Sequence, residues 1–308
     1  PRKPLGVIDL LKLANRVFAV MPEAVPVYPY GVSLYIEDER SLVIDLGAGG
    51  NAFAAIPKEK VELCLLSHFH FDHIHGELLF PKANLYAAKE EERLFSDPEE
   101  YLRVFGYYLW DKLMPGIKRK PFHERAAHLP ADVLGKPGFR MIKLAGTITD
   151  RQVFDLGKRR VLPIHLPGHT PGHYGFYLED EGILFSGDID FYRHGPWYFA
   201  LHSDLTQLIS SIRLIQDINP GVLVVSHHQA VTEGIKEGLN RNVQLILDRE
   251  ARLLKLLKRP KTLNDLAKEK IIFQESKNMF QLFWEKMGVL NHLKRLIKLG
   301  MVVETDGF

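Results

Sequence analysis

The chain has 308 residues, 46% of them hydrophobic, and a formal net charge of +2; that is apolar material for one large domain or two, and so small a net charge gives no overall field that argues for nucleic acid or a membrane surface. The single cysteine, Cys64, excludes a disulfide framework and any zinc site built from several thiolates, so metal binding would have to rest on histidine and carboxylate. The charge is uneven: from Lys236 onward 15 Lys and Arg face 9 Asp and Glu, which leaves the first 235 residues mildly acidic and the tail basic.

The start, PRKPLGVIDLLKLANRVFAV, has no long apolar h-region and no small-residue cleavage site, and nowhere do 18 apolar residues run together. The chain therefore reads as a soluble, cytoplasmic protein with no membrane partner. Residues 15–90 read as strands separated by turns. GVSLYIEDERSLVIDLGAGG (31–50) is two apolar runs around a charged turn, a hairpin signal. VELCLLSH (61–68) and ANLYAA (83–88) are further short strands, with Cys64 in a strand core. From Lys89 to Gly116 the spacing turns helical, with five aromatics between Tyr101 and Trp110, and a loop rich in proline and glycine follows. Residues 89–145 thus read as an insertion or cap, and the basic triplet Lys118–Lys120 within it as a solvated loop.

Strands resume in RQVFDLGKRRVLPIHL (151–166), YGFYLEDEGILFSGD (174–188) and, after a helix from about Leu205 to Asp217, GVLVVSHH (221–228). From Asn240 the pattern is helical: RNVQLILDREARLLKLLKR has apolar residues at i, i+3, i+4. TLNDLAKEKII begins at a plausible N-cap, Thr262, and the last 18 residues read as a helix, a Gly300 cap and a terminal strand.

Four strand-like runs end in potential ligands: His68, His169, Asp188 and His227. Strands bury their bodies, so their ends collect at one rim, where rigid scaffolds commonly carry chemistry. Within LLSHFHFDHIHGE (65–77), His68 and His70 have the i, i+2 spacing that points both side chains the same way, so they can grip one ion. Asp72 and His73 come after a bend and can face a second. Imidazole and carboxylate donors suit zinc at roughly 2.0–2.2 Å. Two ions about 3.5–4 Å apart can activate a shared hydroxide, and an aspartate such as Asp188 is the natural anionic bridge. His75 reads as an exposed neighbour of the site.

The motif SHFHFDH (67–73) resembles the HxHxDH signature of the metallo-β-lactamase superfamily. LPGHTPGH (166–173), FSGD (185–188) and SHH (226–228) follow in that family's order over roughly residues 15–235. The resemblance implies a four-layer αββα sandwich with two metals: His68, His70 and His169 on the first ion, Asp72, His73 and His227 on the second, and Asp188 bridging, with Asp72 also orienting the nucleophile or handling its proton. The sequence departs from the family at Ser226 and His228, where GHG is common, and at Ile74–Glu77, where one glycine replaces two. His173 reads as a turn or a support for the ligands. Asp45 is either a support for the metal loops or a strand-end turn. His194, Tyr198 and His228, with Trp197 and His202, are candidates for the substrate pocket or for ordinary packing.

The expected organisation is a catalytic domain over 1–238, with the insertion at 89–145, and a small helical, winged-helix-like domain over 239–308. The function expected is a di-zinc hydrolase acting on a small ester, thioester or lactone in the manner of glyoxalase II, with the aromatic cap supplying an apolar pocket. A phosphodiesterase or ribonuclease that holds nucleic acid through the C-terminal segment, and a mononuclear iron dioxygenase, are the alternatives. Zinc is the expected metal, with iron or manganese as substitutes. A small molecule is the expected partner; nucleic acid is not favoured, and a homo-oligomer is left open.

Overall fold

The computed structural model describes residues 10–120, 129–192, 194–275 and 278–305. The first nine residues, the middle of the 89–145 insertion and the last three residues lie outside that range. The short apolar runs form two sheets. In the first, β1 (Leu10–Ala14), β2 (Val17–Val20), β3 (Ser33–Ile36), β4 (Ser41–Ile44), β5 (Val61–Leu65), β6 (Asn84–Ala88) and β7 (Gly146–Ile148) lie side by side in chain order. The pairing is antiparallel as far as β4 and parallel from β4 to β7. The second sheet runs β12 (Val222–Val224), β11 (Ile183–Phe185), β10 (Tyr174–Leu178), β9 (Arg160–His165), β8 (Phe154–Asp155), with β11 and β12 parallel and the rest antiparallel.

The inner faces meet in one apolar layer, with Leu34, Ile44, Leu63 and Leu65 from the first sheet against Phe176, Leu178, Phe185 and Val224 from the second. Because both faces of the central strands are covered, these strands read as continuous rather than alternating apolar runs. The outer face of the first sheet, including Val43 and Cys64, packs on Phe53, Phe80 and Phe95. The outer face of the second packs on α4 (Leu205–Ile218), α5 (Ile235–Leu256), α6 (Leu263–Lys268) and α7 (Met279–Lys298). This is the expected four-layer αββα architecture. No helix among the described residues is long and apolar enough to cross a membrane.

The insertion is helical only in fragments, including α2 (Pro98–Val104) and α3 (Trp110–Leu113). Asp97 caps α2 by accepting from the Glu99 and Glu100 N–H groups, and Pro98 occupies its first turn. Gly106, at φ +75°, turns the chain at its end. The aromatics of the insertion dock on the C-terminal helices: Tyr107, Trp110 and Met114 share a cluster with Phe280, Phe283 and Met287 of α7.

The C-terminal segment gives the expected three helices, with Thr262 capping α6 through a capping box to Asp265. Among the described residues the terminal strand expected after Gly300 does not appear: residues 301–305 pair with nothing as a strand, and residues 306–308 lie outside the described residues. A strand needs a partner edge, and the surface beside this segment is helical, so Val302 packs on the helix cluster while Val303 stays exposed. Leu253, Val289, Leu293 and Leu296 of α5 and α7 lie in the same cluster as Leu208, Ile212 and Ile215 of α4.

Candidate metal centre

The parallel pairs β4/β5 and β11/β12 send their C-terminal ends to one rim, and β9 points the same way as β11 because both flank β10 antiparallel. Asp45 follows β4, Ser67 and His68 follow β5, His169 follows β9, Asp188 follows β11 and His227 follows β12. After His70 the chain bends into α1 (Phe71–Ile74), which carries Asp72 and His73. That bend requires close approach by Gly47, where a Cβ would stand 1.7 Å from the Asp72 carbonyl oxygen.

The side chains form two groups of converging donor atoms: His68, His70, His169 and Asp188 in one, and Asp72, His73 and His227 in the other. In the first, His68 Nε2, His70 Nδ1 and His169 Nε2 make a triangle with sides of 3.0, 3.0 and 3.1 Å. Asp188 divides its oxygens between the groups. Its Oδ2 lies 3.3 Å from His169 Nε2 and 3.9 Å from His68 Nε2, while Oδ1 lies 3.1 Å from His73 Nε2 and 3.2 Å from His227 Nε2. His227 Nε2 is also 3.5 Å from Asp72 Oδ2.

The outer nitrogens show why the inner ones converge. His68 Nδ1 donates to Ser67 Oγ at 2.9 Å, His169 Nδ1 to the Trp197 carbonyl at 2.8 Å and His227 Nδ1 to the Tyr30 carbonyl at 3.0 Å. With the proton held outside, the lone pair of each ring faces into the site. Asp45, at positive φ (56°) after β4, serves both groups at once. It accepts from the Ser67 N–H and Oγ–H at 2.7 Å each, and from His73 Nδ1 at 2.6 Å. Asp45 is therefore a support of the ligand loops. His173 is a support as well: its Nδ1 donates to the Leu166 carbonyl at 3.0 Å, and its Nε2 accepts the Asp188 N–H at 3.0 Å.

The electrostatics differ between the groups. Burial, together with the neighbouring imidazoles, holds His68 and His70 well below the ordinary histidine range, and burial lowers His169 to about 4. These rings are neutral, with lone pairs available. In the second group burial also disfavours charge, yet the carboxylates of Asp188 foremost, with Asp72 and Asp190, together outweigh it and raise His227 to about 9; Asp188 and Asp45 together hold His73 well above its usual value. Burial would raise Asp188, but His73, His227 and His169 keep it well below the carboxylate range. The field that favours a proton on His73 and His227 favours a metal cation in its place. His73 Nε2 and Asp188 Oδ1 are both buried and lack a satisfied hydrogen bond, which a cation between them would supply. The donor set, imidazole and carboxylate with no thiolate, fits zinc.

A cavity of about 370 Å³ opens over Asp72, Asp188, His70 and His227. Of the predicted pocket residues, His194 lines it and Trp197 forms part of its wall. Tyr198 does not: it is fully buried on the far side, where its hydroxyl meets His292 Nε2 at 2.9 Å and accepts from Arg249 at 2.6 Å. In an extended run, neighbouring residues face opposite ways, and Trp197 and Phe199 take the cavity side. His228 is exposed with its Nδ1 on the Gln229 carbonyl, so His227 is the member of SHH that faces the site. His75 is not exposed but fully buried, 3.2 Å from the Gly47 carbonyl. Sequence reasoning did not single out Tyr28, Tyr192, Phe273 or Trp284, all of which line the cavity. Tyr192 lies just after the Asp188 motif, a position that carried a signal; Phe273 and Trp284 come from the C-terminal helical segment and carried none. Glu91 was also missed. It is buried and accepts from Thr170 Oγ1 and from the Gly172 N–H at 3.2 Å, tying the chain after β6 to the His169 loop.

Two buried histidine and aspartate clusters at the open rim of an αββα sandwich define a metal-binding fold of one class. A family model of the metallo-beta-lactamase superfamily matches residues 29–227, and the chain belongs to that superfamily. It is 26% identical over 222 residues to hydroxyacylglutathione hydrolase GloC of Haemophilus influenzae, covering 68% of this chain and 91% of that one. It is 29% identical over 132 residues to acyl-coenzyme A thioesterase MBLAC2 of Bos taurus, covering 41% of this chain and 40% of that one, so it spans under half of that relative. Among solved structures, a metallo-beta-lactamase family protein from Thermus thermophilus superimposes with a TM-score of 0.72 at 20% identity, covering 94% of this chain and 95% of that one. A beta-lactamase domain protein from Burkholderia ambifaria gives 0.67 at 15% identity, covering 97% and 91%. These structures share the fold.

Proposed function

We propose that this chain is a metal-dependent hydrolase of thioesters or related small esters. His68, His70 and His169 would hold one divalent cation, Asp72, His73 and His227 a second, and Asp188 both. The observation that carries the reading is the division of Asp188, one carboxylate oxygen turned to each cluster of imidazole nitrogens. Zinc bound there supplies Lewis acidity and a water nucleophile activated at neutral pH.

The chain's own residues do the rest. Asp72 lines the cavity, so its carboxylate can accept the proton of the attacking water and orient it. Tyr192 lies tilted beside His227 with ring centroids 5.3 Å apart and lines the same cavity. Burial keeps its phenol protonated, so it is available to donate to a substrate oxygen.

The relatives support a thioester substrate, since a hydroxyacylglutathione hydrolase and an acyl-coenzyme A thioesterase both bear that linkage in their names. The test is turnover of a panel of acyl thioesters, lactones and phosphodiesters by fully metal-loaded protein, with metal content measured in parallel. Thioester cleavage with about two zinc per chain is expected. Phosphodiester cleavage alone, or one iron per chain, would replace this reading with one of its alternatives.

A further inference from the structure

We propose that the wall of the cavity facing the metal clusters selects the acyl group, that this group is bulky, flat and uncharged, and that the C-terminal helical segment supplies the selecting side chains. The inference rests on the hydrolase reading and goes beyond it in naming the substrate class. It starts from a continuous line of rings. Trp197 sits edge-on to the ligands His70 and His169, with centroids 5.4 Å from each. From Trp197 the line continues to Trp284 of α7 at 6.3 Å and to Phe199 at 5.5 Å, then from Phe199 to Phe273 at 5.1 Å. On the insertion side, Phe105 stacks on His70 at 5.5 Å. A group attached to a carbonyl at the clusters is therefore met by aromatic faces and edges on two sides, which favours a flat apolar group.

Size and charge narrow the class. The cavity, about 370 Å³, lies near the lower end of the roughly 300–1,000 Å³ of small-molecule sites, so it takes an acyl group rather than a whole carrier. Among the described lining residues there is no lysine or arginine, and the carboxylates present, Asp72 and Asp188, stand at the metal end. Along the described wall away from the clusters, a carboxylate on the acyl group would be desolvated among rings and meet no lysine or arginine.

The wall is also held in place. Glu285 of α7, buried, accepts the N–H groups of Ile271 at 2.7 Å, Ile272 at 3.1 Å and Phe273 at 2.8 Å. Arg249 of α5 donates to the His194 carbonyl at 2.7 Å and to the Ile272 carbonyl at 3.3 Å. The turn that presents Phe273 is thus tied to α5 and α7, and through Arg249 to the loop that presents Trp197. A preorganised wall of this kind binds without a large ordering cost.

The test uses the full chain. Thioesters of a single thiol, N-acetylcysteamine, carry acetyl, succinyl, benzoyl or 2-naphthoyl groups. The expected order of kcat/KM has 2-naphthoyl at least tenfold above acetyl and succinyl lowest. Phe273→Ala and Trp284→Ala are each expected to lower the naphthoyl-to-acetyl ratio by about tenfold. A second arm needs no turnover: the uncharged ketone 2-acetylnaphthalene should quench the tryptophan fluorescence of metal-stripped protein, with affinity reduced about tenfold by Phe273→Ala and less by Phe273→Leu, which keeps the apolar bulk. If every thioester is inert but the ketone binds with these losses, the hydrolase reading falls and the selecting wall stands. If thioesters are cleaved with acetyl equal to or above naphthoyl, or if neither substitution moves the ratio, the wall is overturned and the hydrolase reading stands.

Discussion

Replacing Asp188 by asparagine removes the one anion that both clusters share while keeping its size. The magnitude follows from His227, whose pKa stands at about 9 against 6.5 despite full burial, with the Asp188 carboxylate the leading cause of the rise. A rise of that size corresponds to about 3 kcal/mol of cation stabilisation at about 1.4 kcal/mol per pKa unit. A cation in place of the proton feels the same carboxylate, so Asp188→Asn should weaken the Asp72–His73–His227 group for zinc by on the order of a hundredfold. The first group should lose less, because its three imidazoles are neutral and two of them, His68 and His169, are held by their own outer hydrogen bonds. Competition with a graded series of chelators reads both affinities, and an NMR titration of the metal-free variant should show His227 falling back toward or below its ordinary pKa. A variant that keeps both zinc affinities within twofold, or a His227 that still titrates near 9, would refute the electrostatic reasoning.

Asp45→Asn should disturb both groups, because one carboxylate orients His73 directly and His68 through Ser67; a loss of roughly 10–100-fold in metal affinity, typical for such outer partners, is expected at both ions in the same chelator assay. Burial pushes Glu91 up to about 8 from 4.5. The folded chain then binds more protons than the unfolded one between those values, so stability falls as pH rises through that window, by up to about 5 kcal/mol. Melting curves of the metal-stripped protein from pH 5 to 8 should therefore be flatter for Glu91→Gln than for the parent, and an unchanged slope would remove this role. Deleting residues 239–308 should leave no folded remainder. It would strip part of the cover from Leu208, Ile212, Ile215 and Phe199, which share a cluster with the C-terminal helices, at up to roughly 1.5–3 kcal/mol per side chain, a sum that rivals the 5–15 kcal/mol a domain has to lose. A cooperative melt of the truncated chain would contradict that.

The candidate ligands were legible because His68, His169, Asp188 and His227 follow buried strands, where local sequence fixes both the strand and its exit, and His70, Asp72 and His73 follow His68 within five residues. His68, His70, Asp72, His73, His169, Asp188 and His227 all meet at one rim for that reason. What supports them was only half legible. Asp45 follows a strand as any turn aspartate does, and its hydrogen bonds to Ser67 and His73 become visible only when β4 and β5 lie side by side. His75 looked like a surplus histidine, yet the bend through α1 carries it inward. Tyr198 was misplaced for a local reason, since the run Trp197–Tyr198–Phe199 alternates sides and only its flanking members face the cavity. The contribution of Phe273 and Trp284 was invisible, because it depends on helices roughly 80 residues downstream packing back over the second sheet. The terminal strand failed because apolar residues after Gly300 can satisfy themselves on helices as well as on a sheet edge.

The central claim is that two cations sit side by side with Asp188 between them. Anomalous diffraction at the zinc edge from crystals of the zinc-loaded protein tests it most directly. Two peaks per chain are predicted, one among His68, His70, His169 and Asp188 and one among Asp72, His73, His227 and Asp188. A single peak, or peaks bound by other residues, would contradict it.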